Sequence, residues 1–550
     1  MSSSSASSPP TSTSRTYADA LDLLNTLIPN TKVHALFGKP QDPKPPSPAS
    51  DPNLLAVPEM RAWLLRANLT PQRLSALSCV HIAGTKGKGS VAALTTSALL
   101  ASARSNSGTG TGPGPGPGRV GTYTSPHLVT PRERIAIDGR PVSQSLFAAA
   151  FFELWDLLSA CPADDDDGPL AGLPAGAKPF YFRFLTLLAL HIFLREGVRS
   201  VVLECGIGGE YDATNAVVRS AGGGGAAVTA AVITQLGVDH VAMLGDTPEA
   251  IAWHKAGVMK PGVPAFTRRL DAQPAVMDVL RARAREAAAR LVEVPDDDVD
   301  AWPGVSAAKL PGGAFQKRNQ ALAALAAAHH LRVLEGRHGV EADTDAGASA
   351  LLRDVPETVV AGLREATLRG RHEVLERGNV SWHLDGAHNT DSLAEAARWM
   401  AAVVAVVPGD AAAAAAAATT KFALVFNQQE RDASALLLGL LREMEAAGVD
   451  VASRLDAAIF TRNDKTSSGG GAEDAGKAAA TVDVAVQDKC AAAFRQAYPG
   501  VDALVCRDLT EMKGAVDAVA AQSTRTRVLV TGSMYLVGNV IGLLEPDGLL

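Results

Sequence analysis

The chain has 550 residues, of which 47% are hydrophobic and 20% are charged, and its formal net charge is −7. This length is more than one ordinary core requires, so it predicts more than one domain. The composition is typical of a soluble globular enzyme and excludes a largely disordered chain, and it lacks the basic excess that favours nucleic-acid binding. No uninterrupted apolar run reaches the roughly 18 residues of a membrane span, so we expect no stable membrane insertion.

The cysteines and the N-terminal residues indicate the cellular compartment of the protein. The five cysteines are scattered without close pairing, which favours reduced thiols in an intracellular protein. Residues 1–14 are rich in serine and are predicted to form a disordered tail, and they make a poor transit peptide because no basic residue precedes Arg15. We therefore expect a cytoplasmic monomer, with a mitochondrial form as an open alternative.

Short apolar runs rich in β-forming residues alternate with helical patterns along the chain. The predicted strands are 80–83, 200–204, 230–234, 381–384, 423–426, 457–460 and 528–531. This alternation predicts an α/β protein with mainly parallel sheets flanked by helices. Because the motif density changes near residue 365, we predict two α/β domains, at 15–364 and 365–550.

The first predicted strand runs into a glycine-rich turn and then into an apolar helix. The residues of this turn are Gly84, Thr85, Lys86, Gly87, Lys88, Gly89 and Ser90. Glycines let backbone N–H groups approach a polyphosphate, a lysine adds positive charge and a hydroxyl offers a ligand to Mg²⁺. The turn predicts binding of ATP or a related nucleotide. Its sequence departs from the usual phosphate-binding loop, because Gly89 separates Lys88 from Ser90. The alternative is a purely structural turn.

Three further candidates follow in the first half of the chain. Glu204 ends an apolar strand directly before a glycine-rich segment, where a carboxylate can hold Mg²⁺ beside phosphates. His240 lies just past the next strand, and Lys255 lies on a predicted helix whose apolar neighbours would lower the pKa of its amine. The ordinary alternatives are a surface salt bridge for Glu204, a structural role for His240 and a solvated surface position for Lys255.

The second half offers a polar turn at the end of a predicted strand. Asp385 ends that strand, and His388 and Asn389 follow after two small residues. The alternative for this turn is connection chemistry, in which Asp385 and Asn389 only accept turn and cap hydrogen bonds. Further upstream, Gln316 and Asn319 lie one turn apart on one face of a predicted helix, where capping is again the ordinary interpretation.

Taken in chain order, these segments resemble the Mur-ligase superfamily, and within it the folate branch, from about residue 16 to the end. The resemblance rests on His-Ile-Ala-Gly-Thr-Lys-Gly-Lys-Gly-Ser at 81–90, Tyr-Thr-Ser-Pro-His-Leu-Val at 123–129, Leu-Glu-Cys-Gly-Ile-Gly-Gly-Glu-Tyr-Asp-Ala-Thr-Asn at 203–215 and Leu-Asp-Gly-Ala-His at 384–388. Within that branch the chain resembles the eukaryotic folylpolyglutamate synthases, which implies a P-loop-type ATPase domain at 15–364 and a smaller Rossmann-like α/β domain at 365–550. Thr85-Lys86 stands where dihydrofolate synthases usually have Thr-Asn, and Phe-Asn-Gln-Gln-Glu-Arg-Asp at 426–432 gives further support.

The resemblance implies a reaction and its ligands. ATP phosphorylates the γ-carboxyl of a reduced folate, the amine of L-glutamate attacks the acyl phosphate, and ADP and phosphate leave. The implied cofactors are ATP and Mg²⁺, with a monovalent cation such as K⁺. The implied partners are a reduced folate, L-glutamate and ATP, with no nucleic acid.

The resemblance also implies roles for individual residues. The implied ATP-binding residues are Gly84, Thr85, Lys86, Gly87, Lys88, Gly89, Ser90, Asn319, Arg371 and Asp385. The implied metal ligands, direct or through water, are Ser90, Glu204 and His240. The implied residues on the folate side are Ser125, Pro126, His127 and Arg132. The implied catalytic residues are Lys88, Lys255, His240, Asp385 and His388, and Lys255 matches the family lysine that is carbamylated.

Two departures from the family pattern and three alternatives remain at this point. Leu368 and Arg369 stand where the family often has Trp-Pro before Gly370-Arg371, and Phe315 stands at a common His position. The nearest alternative is a dihydrofolate synthase or a bifunctional enzyme that acts on dihydropteroate. The others are a nucleotide-binding switch or kinase, and a paralogue that binds folate and nucleotide without catalysis.

Overall fold

The computed structural model describes residues 15–27, 52–106, 116–164, 168–217, 225–310, 313–336, 347–405, 420–429, 432–464 and 483–545. The predicted tail at 1–14 lies outside these residues. The contacts within the chain define two compact units. The first unit comprises the described residues up to Pro126, together with Arg132–Ser306 and Arg318–Leu363. The second comprises His127–Pro131, Ala307–Lys317 and the described residues from Arg364 onward.

The first unit is built on an eight-stranded sheet. Its strands in chain order are β1 (Ser78–Ala83), β2 (Arg119–Tyr123), β3 (Ile135–Ile137), β4 (Arg140–Pro141), β5 (Val198–Glu204), β6 (Ala227–Ile233), β7 (Pro264–Arg268) and β8 (Arg290–Val294). Their spatial order is β4-β3-β2-β5-β1-β6-β7-β8, in which the β4–β3 and β3–β2 pairs are antiparallel and the other pairs are parallel. The central strand β1 therefore lies between β5 and β6 and points the same way as both.

Helices supply the crossovers that parallel strands require. Up to residue 365 the helices are Tyr17–Thr26, Pro52–Arg66, Pro71–Leu74, Lys88–Asn106, Gln144–Ser159, Tyr181–Arg195, Val241–Leu244, Pro248–Lys255, Pro274–Glu286, Asp296–Ala301, Ala314–Leu334, Ala348–Arg353 and Glu357–Glu365. A large apolar cluster of the first unit contains the buried aromatic side chains Phe147, Phe151, Phe184 and Phe193. Strands β1 and β5 are buried along nearly their whole length, which explains why they read as continuous apolar runs.

The second unit is built on a six-stranded sheet. Its strands are β9 (Glu373–Arg377), β10 (Val380–Leu384), β11 (Thr420–Phe426), β12 (Ala457–Thr461), β13 (Asp502–Cys506) and β14 (Arg525–Thr531). Their order is β13-β12-β11-β14-β10-β9, and only the β9–β10 pair is antiparallel. The helices after residue 365 are Thr390–Val404, Ala433–Ala446, Val451–Arg454, Ala485–Ala497, Leu509–Ala520 and Met534–Leu544.

Strand β11 shows how the second sheet is packed on both faces. Phe422, Leu424 and Phe426 join one apolar cluster, whereas Ala423 and Val425 join another. Because successive side chains of a strand point to opposite faces, each face of the sheet carries its own core. The segment His127–Pro131 contributes to the second of these clusters, against which Leu128 and Val129 pack.

The predicted fold class is confirmed, since both units are α/β and both sheets are mainly parallel. Every strand predicted from the sequence is present, and most begin a few residues earlier than predicted. Strands β2, β3, β4, β7, β8, β9 and β13 were not among the predicted strands. Within the part of the chain that the structure describes, no helix has the length and apolar character needed to span a bilayer.

Candidate active site

Three loops of the first unit leave the sheet at the same edge. Strands β5, β1 and β6 are neighbours and run parallel, so their carboxyl ends lie side by side. The glycine-rich turn follows β1, Glu204 ends β5, and segment 234–240 follows β6. Ligands of open α/β sheets bind beyond the carboxyl ends of the strands. This edge is therefore the candidate site of the first unit.

The turn after β1 requires glycine at two positions. Gly84 has a φ of +148° and Gly87 a φ of +87°, a region that side chains disfavour. An added Cβ at Gly84 would overlap the hydroxyl of Thr234, and one at Gly87 would lie 2.7 Å from Oδ1 of Asn319. The turn is thus closely packed against its neighbours. The structure places Asn319, on the helix Ala314–Leu334, directly beside it.

The loop after β6 holds the middle of the turn. The amides of Thr85 and Lys86 both donate to the carbonyl of Gln235, at 2.9 and 3.2 Å. The hydroxyl of Thr234 donates to the carbonyl of Lys86 at 2.7 Å. The backbone N–H groups of Thr85 and Lys86 therefore make hydrogen bonds within the protein. Sequence reasoning missed Thr234 and Gln235, and their position directly after β6 was the only signal.

The amides that the turn can offer to an anion come from the start of the following helix. The helix begins at Lys88, so the N–H groups of Lys88, Gly89 and Ser90 have no acceptor within the helix itself. The first turn of a helix carries partial positive charge, which favours a bound anion. The expected phosphate cradle is thus better supported at residues 88–90 than at Thr85 and Lys86.

Two lysines converge on one backbone carbonyl at this turn. Nζ of Lys88 donates to the carbonyl of Gly84 at 3.0 Å, and Nζ of Lys255 donates to the same oxygen at 2.9 Å. Lys255 is the last residue of the helix Pro248–Lys255 and is only 2% exposed. Its burial, together with the positive charge of Lys88, lowers the pKa of Lys255 to about 7. A large fraction of this amine is therefore neutral near pH 7.

Glu204 is buried at the end of β5. It is 3% exposed, and its Oε2 accepts a hydrogen bond from the backbone N–H of Ser125 at 3.1 Å. Such burial does not fit a surface salt bridge. Behind it, the carboxylate of Asp212 accepts the backbone N–H groups of Gly206 and Ile207, at 3.0 and 3.1 Å, and so shapes the loop that follows Glu204.

The predicted metal ligands differ in how deeply they are buried. Ser90 is half-buried in the first turn of its helix, whereas His240 is exposed, with a φ of +52°, directly before the helix Val241–Leu244. Among the described residues, no group of three or more His, Cys, Asp or Glu side chains is placed to hold a metal ion. The oxygen donors of Ser90 and Glu204 nevertheless fit Mg²⁺, which prefers oxygen and keeps several waters. The ligand role of His240 stays a prediction.

The predicted folate-side residues fall into both units. Ser125 and Pro126 belong to the first unit and His127 to the second. Arg132 is buried in the first unit, where Nη1 donates to the carbonyl of Val142 at 2.8 Å and the guanidinium lies over the ring of Tyr17. These contacts fix the side chain of Arg132, and its role on the folate side stays a prediction.

In the second unit, the polar turn after β10 is held largely by its own backbone. Oδ1 of Asp385 accepts from the N–H of Ala387 and Oδ2 accepts from the N–H of His372, both at 2.9 Å. The side chain of Asn389 caps the helix Thr390–Val404. Asp385 and Asn389 thus make the turn and cap hydrogen bonds that the sequence offered as an alternative to ligand binding.

The ring of His388 has a defined tautomer in this turn. Its Nδ1 lies 2.9 Å from the carbonyl oxygen of Gly386. Because a carbonyl can only accept, Nδ1 carries the proton, and Nε2 of the neutral ring is an acceptor. His388 can therefore receive a proton at Nε2.

Arg371 lies beside the same turn. Its Nη1 is 2.8 Å from Sδ of Met534, and an added Cβ at Gly386 would overlap that sulfur and lie 2.8 Å from Nη1 of Arg371. The N–H of Gly386 donates to the carbonyl of Gly370 at 3.0 Å, which links the two segments. The structure thus brings Arg371, Asp385 and His388 to one end of the second sheet. Sequence reasoning missed Met534, for which the sequence offered no signal.

Comparison with known proteins gives close relatives along the whole chain, although no family model matches it. Folylpolyglutamate synthase of Neurospora crassa is 36% identical over 545 residues, which cover 97% of this chain and 92% of that protein. Folylpolyglutamate synthase of Saccharomyces cerevisiae is 36% identical over 454 residues, which cover 82% of this chain and 72% of that protein.

Solved structures share the fold. Mycobacterium tuberculosis folylpolyglutamate synthase, complexed with ADP and AMPPCP, has a TM-score of 0.59 at 25% identity, covering 89% of this chain and 96% of that chain. Bifunctional folylpolyglutamate synthase/dihydrofolate synthase of Yersinia pestis, complexed with AMPPNP and Mn ion, has a TM-score of 0.56 at 22% identity, covering 98% of this chain and all of that chain. Since the similarity to the fungal enzymes extends over nearly the entire sequence, the chain belongs to the folylpolyglutamate synthase family.

Proposed function

We propose that this protein adds L-glutamate to the γ-carboxyl of reduced folates at the expense of ATP, through an acyl phosphate, with release of ADP and phosphate. The observation that carries the proposal is the convergence of Lys88 and Lys255 on Gly84, at a helix start suited to phosphates. The 36% identity to the Neurospora enzyme over 97% of the chain supports the same reaction. The nucleotide and Mn complexes of the bacterial relatives support ATP and a divalent cation.

The residues around the turn would bind and orient the nucleotide phosphates. Lys88 supplies a positive charge, and the first amides of its helix supply hydrogen-bond donors. Asn319 lies against Gly87 and would contact the nucleotide from the other side of the turn. A carboxylate is a poor electrophile, so phosphorylation of the folate carboxyl provides the leaving group that the amine displaces.

The oxygens of Ser90 and Glu204 would hold Mg²⁺ together with water, and His240 would complete this set. Mg²⁺ held by these residues would supply positive charge close to the phosphates during phosphoryl transfer. The family resemblance supports further, finer proposals: K⁺ assists the reaction, and the protein acts as a monomer. Rates in matched KCl and NaCl buffers and the mass of the protein in solution test them.

The environment of Lys255 fits the carbamylation that the family resemblance implies. A neutral amine is required, because its nitrogen attacks the carbon of CO₂ and then loses one proton. The lowered pKa of Lys255, about 7, supplies that neutral form. NMR of protein in ¹³C-labelled bicarbonate should show a carbamate signal that is absent in Lys255→Arg. The same spectrum in both proteins would contradict the modification.

His388 is suited to the glutamate side of the reaction. Its Nε2 can accept a proton while Nδ1 remains bonded to Gly386. The α-ammonium group of glutamate must lose a proton before it attacks, and a positioned imidazole is a common acceptor for such protons. We therefore assign His388 to the incoming amine.

The first experiment is ADP release by the purified protein with ATP and Mg²⁺. Tetrahydrofolate plus glutamate is compared with dihydropteroate plus glutamate, and the products are identified by mass. Turnover that depends on tetrahydrofolate and gives products extended by glutamate supports the proposal. Turnover with dihydropteroate alone would identify a dihydrofolate synthase, turnover with both a bifunctional enzyme, and turnover with neither would favour the non-catalytic paralogue.

A further inference from the structure

The pair Asn427–Gln428, directly after β11, has no role in the reaction described so far. It belongs to the segment 426–432 that the sequence analysis singled out, and both side chains are buried although they are polar. Burying an amide is costly unless its hydrogen bonds are made. The partners of these two side chains therefore indicate what the pair does.

Gln428 joins two loops that follow neighbouring strands. Its Nε2 donates to the carbonyl of Gly532 at 3.0 Å and to the carbonyl of His388 at 3.2 Å. Gly532 directly follows β14, and His388 lies in the turn after β10, while β11, β14 and β10 are adjacent. An amide NH₂ group has two N–H donors, and both of its partners here are carbonyls that can only accept. A glutamate of the same length could make neither bond as a carboxylate, because it has no hydrogen to donate.

The neighbouring amides fix the end of β11 from the opposite side. Nδ2 of Asn427 donates to Oδ1 of Asn463 at 2.8 Å, and Nε2 of Gln487 donates to Oδ1 of Asn427 at 2.8 Å. Nδ2 of Asn539 donates to the carbonyl of Asn463, also at 2.8 Å. These residues lie after β11 and β12 and on two helices, so the base from which Gln428 extends is held at several points.

His388 is held by several hydrogen bonds, of which Gln428 supplies one. Its ring is bonded to Gly386, its N–H donates to Oγ of Ser392 at 3.2 Å, and its carbonyl accepts from Gln428. The first two partners belong to the same turn and helix start as His388 itself. Gln428 links this turn to the rest of the sheet end.

We propose that Gln428 is a positioning residue for the glutamate step: it fixes the backbone of His388, and through it the direction of the imidazole, relative to the loop at Gly532. The inference rests on the proposed function, since it takes His388 as the group that faces the incoming amine. A shift of about 1 Å in a reacting group can cost roughly 100-fold in rate. Loss of the Gln428 amide should therefore act on the use of glutamate rather than on nucleotide binding.

The test compares Gln428→Met, which keeps the length of the side chain but removes both donors, with the matched control Asn379→Leu, which removes the donors of another amide in the second unit. Nδ2 of Asn379 also donates to two backbone carbonyls, those of Ala520 and Ser523, but Asn379 directly precedes β10 and so lies at the other end of this strand from the turn of His388. The full-length enzyme is assayed for ADP release at saturating ATP and tetrahydrofolate, with glutamate varied. KM for ATP and the thermal midpoint are measured in parallel.

We expect Gln428→Met to lower kcat/KM for glutamate roughly 10- to 100-fold, with KM for ATP within about twofold of the wild type. Asn379→Leu should leave the use of glutamate within about threefold of the wild type, even where it lowers the thermal midpoint. Gln428→Glu, which preserves size and polarity, is measured alongside. It replaces Gln428→Met in the comparison if the methionine variant does not fold. An equal loss of glutamate use in Gln428→Met and Asn379→Leu would overturn the proposal.

A second comparison asks whether Gln428 acts through His388. In a His388→Ala background, Gln428→Met should have little further effect, because residues that act as a unit are not additive. A full, independent loss in that background would contradict the positioning role. If the wild-type enzyme itself shows no glutamate-dependent ADP release, the proposed function falls and the inference with it. If the wild type is active and Gln428→Met is unaffected, the inference alone falls.

Discussion

Lys88 and Lys255 donate to the same carbonyl but have different surroundings. Lys88 is half-buried at the start of a helix, where its charge is available to a phosphate. Lys255 is enclosed at the end of another helix, and burial favours its neutral form. One amine is thus suited to neutralise charge and the other to act as a nucleophile toward CO₂.

Removal of charge at the turn should remove most of the activity. We expect Lys88→Ala and Glu204→Ala each to lower glutamate-dependent ADP release by roughly 100-fold or more, because preorganised charges stabilise the transferring phosphoryl group. Lys309→Ala, which removes an exposed lysine paired with Glu365, is the matched control. Rates near that of the wild type in either active-site variant would contradict the assignment.

The pKa of Lys255 predicts a dependence of stability on pH. The ordinary pKa of 10.5 applies to the unfolded chain, whereas the folded protein lowers it to about 7. The cost of burying the charge is therefore fully present below pH 7 and disappears as the pH rises from about 7 to about 10.5. We expect Lys255→Met to raise the urea midpoint relative to the wild type more at pH 6 than at pH 9.5, in bicarbonate-free buffer. An equal difference at both pH values would contradict the lowered pKa.

At the scale of elements, the strand–turn–helix unit from β1 to Lys88 depends on close backbone packing. Gly84→Ala should destabilise the protein by about 1–3 kcal/mol more than Gly262→Ala, because its Cβ would overlap Thr234. Gly262 also has a positive φ, of +71°, but an added Cβ there meets no atom within 4 Å. Urea unfolding measures the difference. Equal losses in the two variants would show that only the backbone conformation matters.

The elements that carry the site were largely predictable, whereas some contacts between them were not. Strands β1, β5, β6 and β10 are buried apolar runs, so their ends, and the candidates at those ends, could be read from the sequence. Strand β13 lies at an edge of its sheet and alternates between exposed and half-buried residues before the buried Cys506, so it gave no such run. The amides of Thr85 and Lys86 donate to the carbonyl of Gln235, which lies about 150 residues further along the chain. No local sequence pattern reveals such a contact.

The ordinary interpretations at Asp385 and Asn389 also proved informative. Their residue types are those of turns and caps, and the structure gives them those hydrogen bonds. The sequence could not show that Gln428 would reach the turn of His388, because that contact is set by the order of β11, β14 and β10 in the sheet.

For the molecule as a whole, the reactivity of the cysteine thiols distinguishes the folded from the unfolded protein. All five cysteines are free, as the sequence predicted, and all but the half-buried Cys161 are buried. Burial raises the pKa of Cys79 to about 12 and that of Cys490 and Cys506 to about 11, and it also raises the pKa of Cys205. We expect iodoacetamide near neutral pH to label Cys161 in the native protein and the other four only in denaturant. Peptide mapping checks this, and rapid native labelling of Cys205 would contradict it.

The path of the chain limits how the second unit can be separated from the rest of the protein. The chain passes from one unit to the other after residues 126, 131, 306, 317 and 363. Leu128 packs against the apolar cluster of the second unit, and its carbonyl lies where a side chain at Gly538 would project. A fragment expressed from residue 364 onward would lack this covering and expose apolar surface to water. The second unit is therefore not a module that one continuous stretch of coding sequence can transfer to another protein.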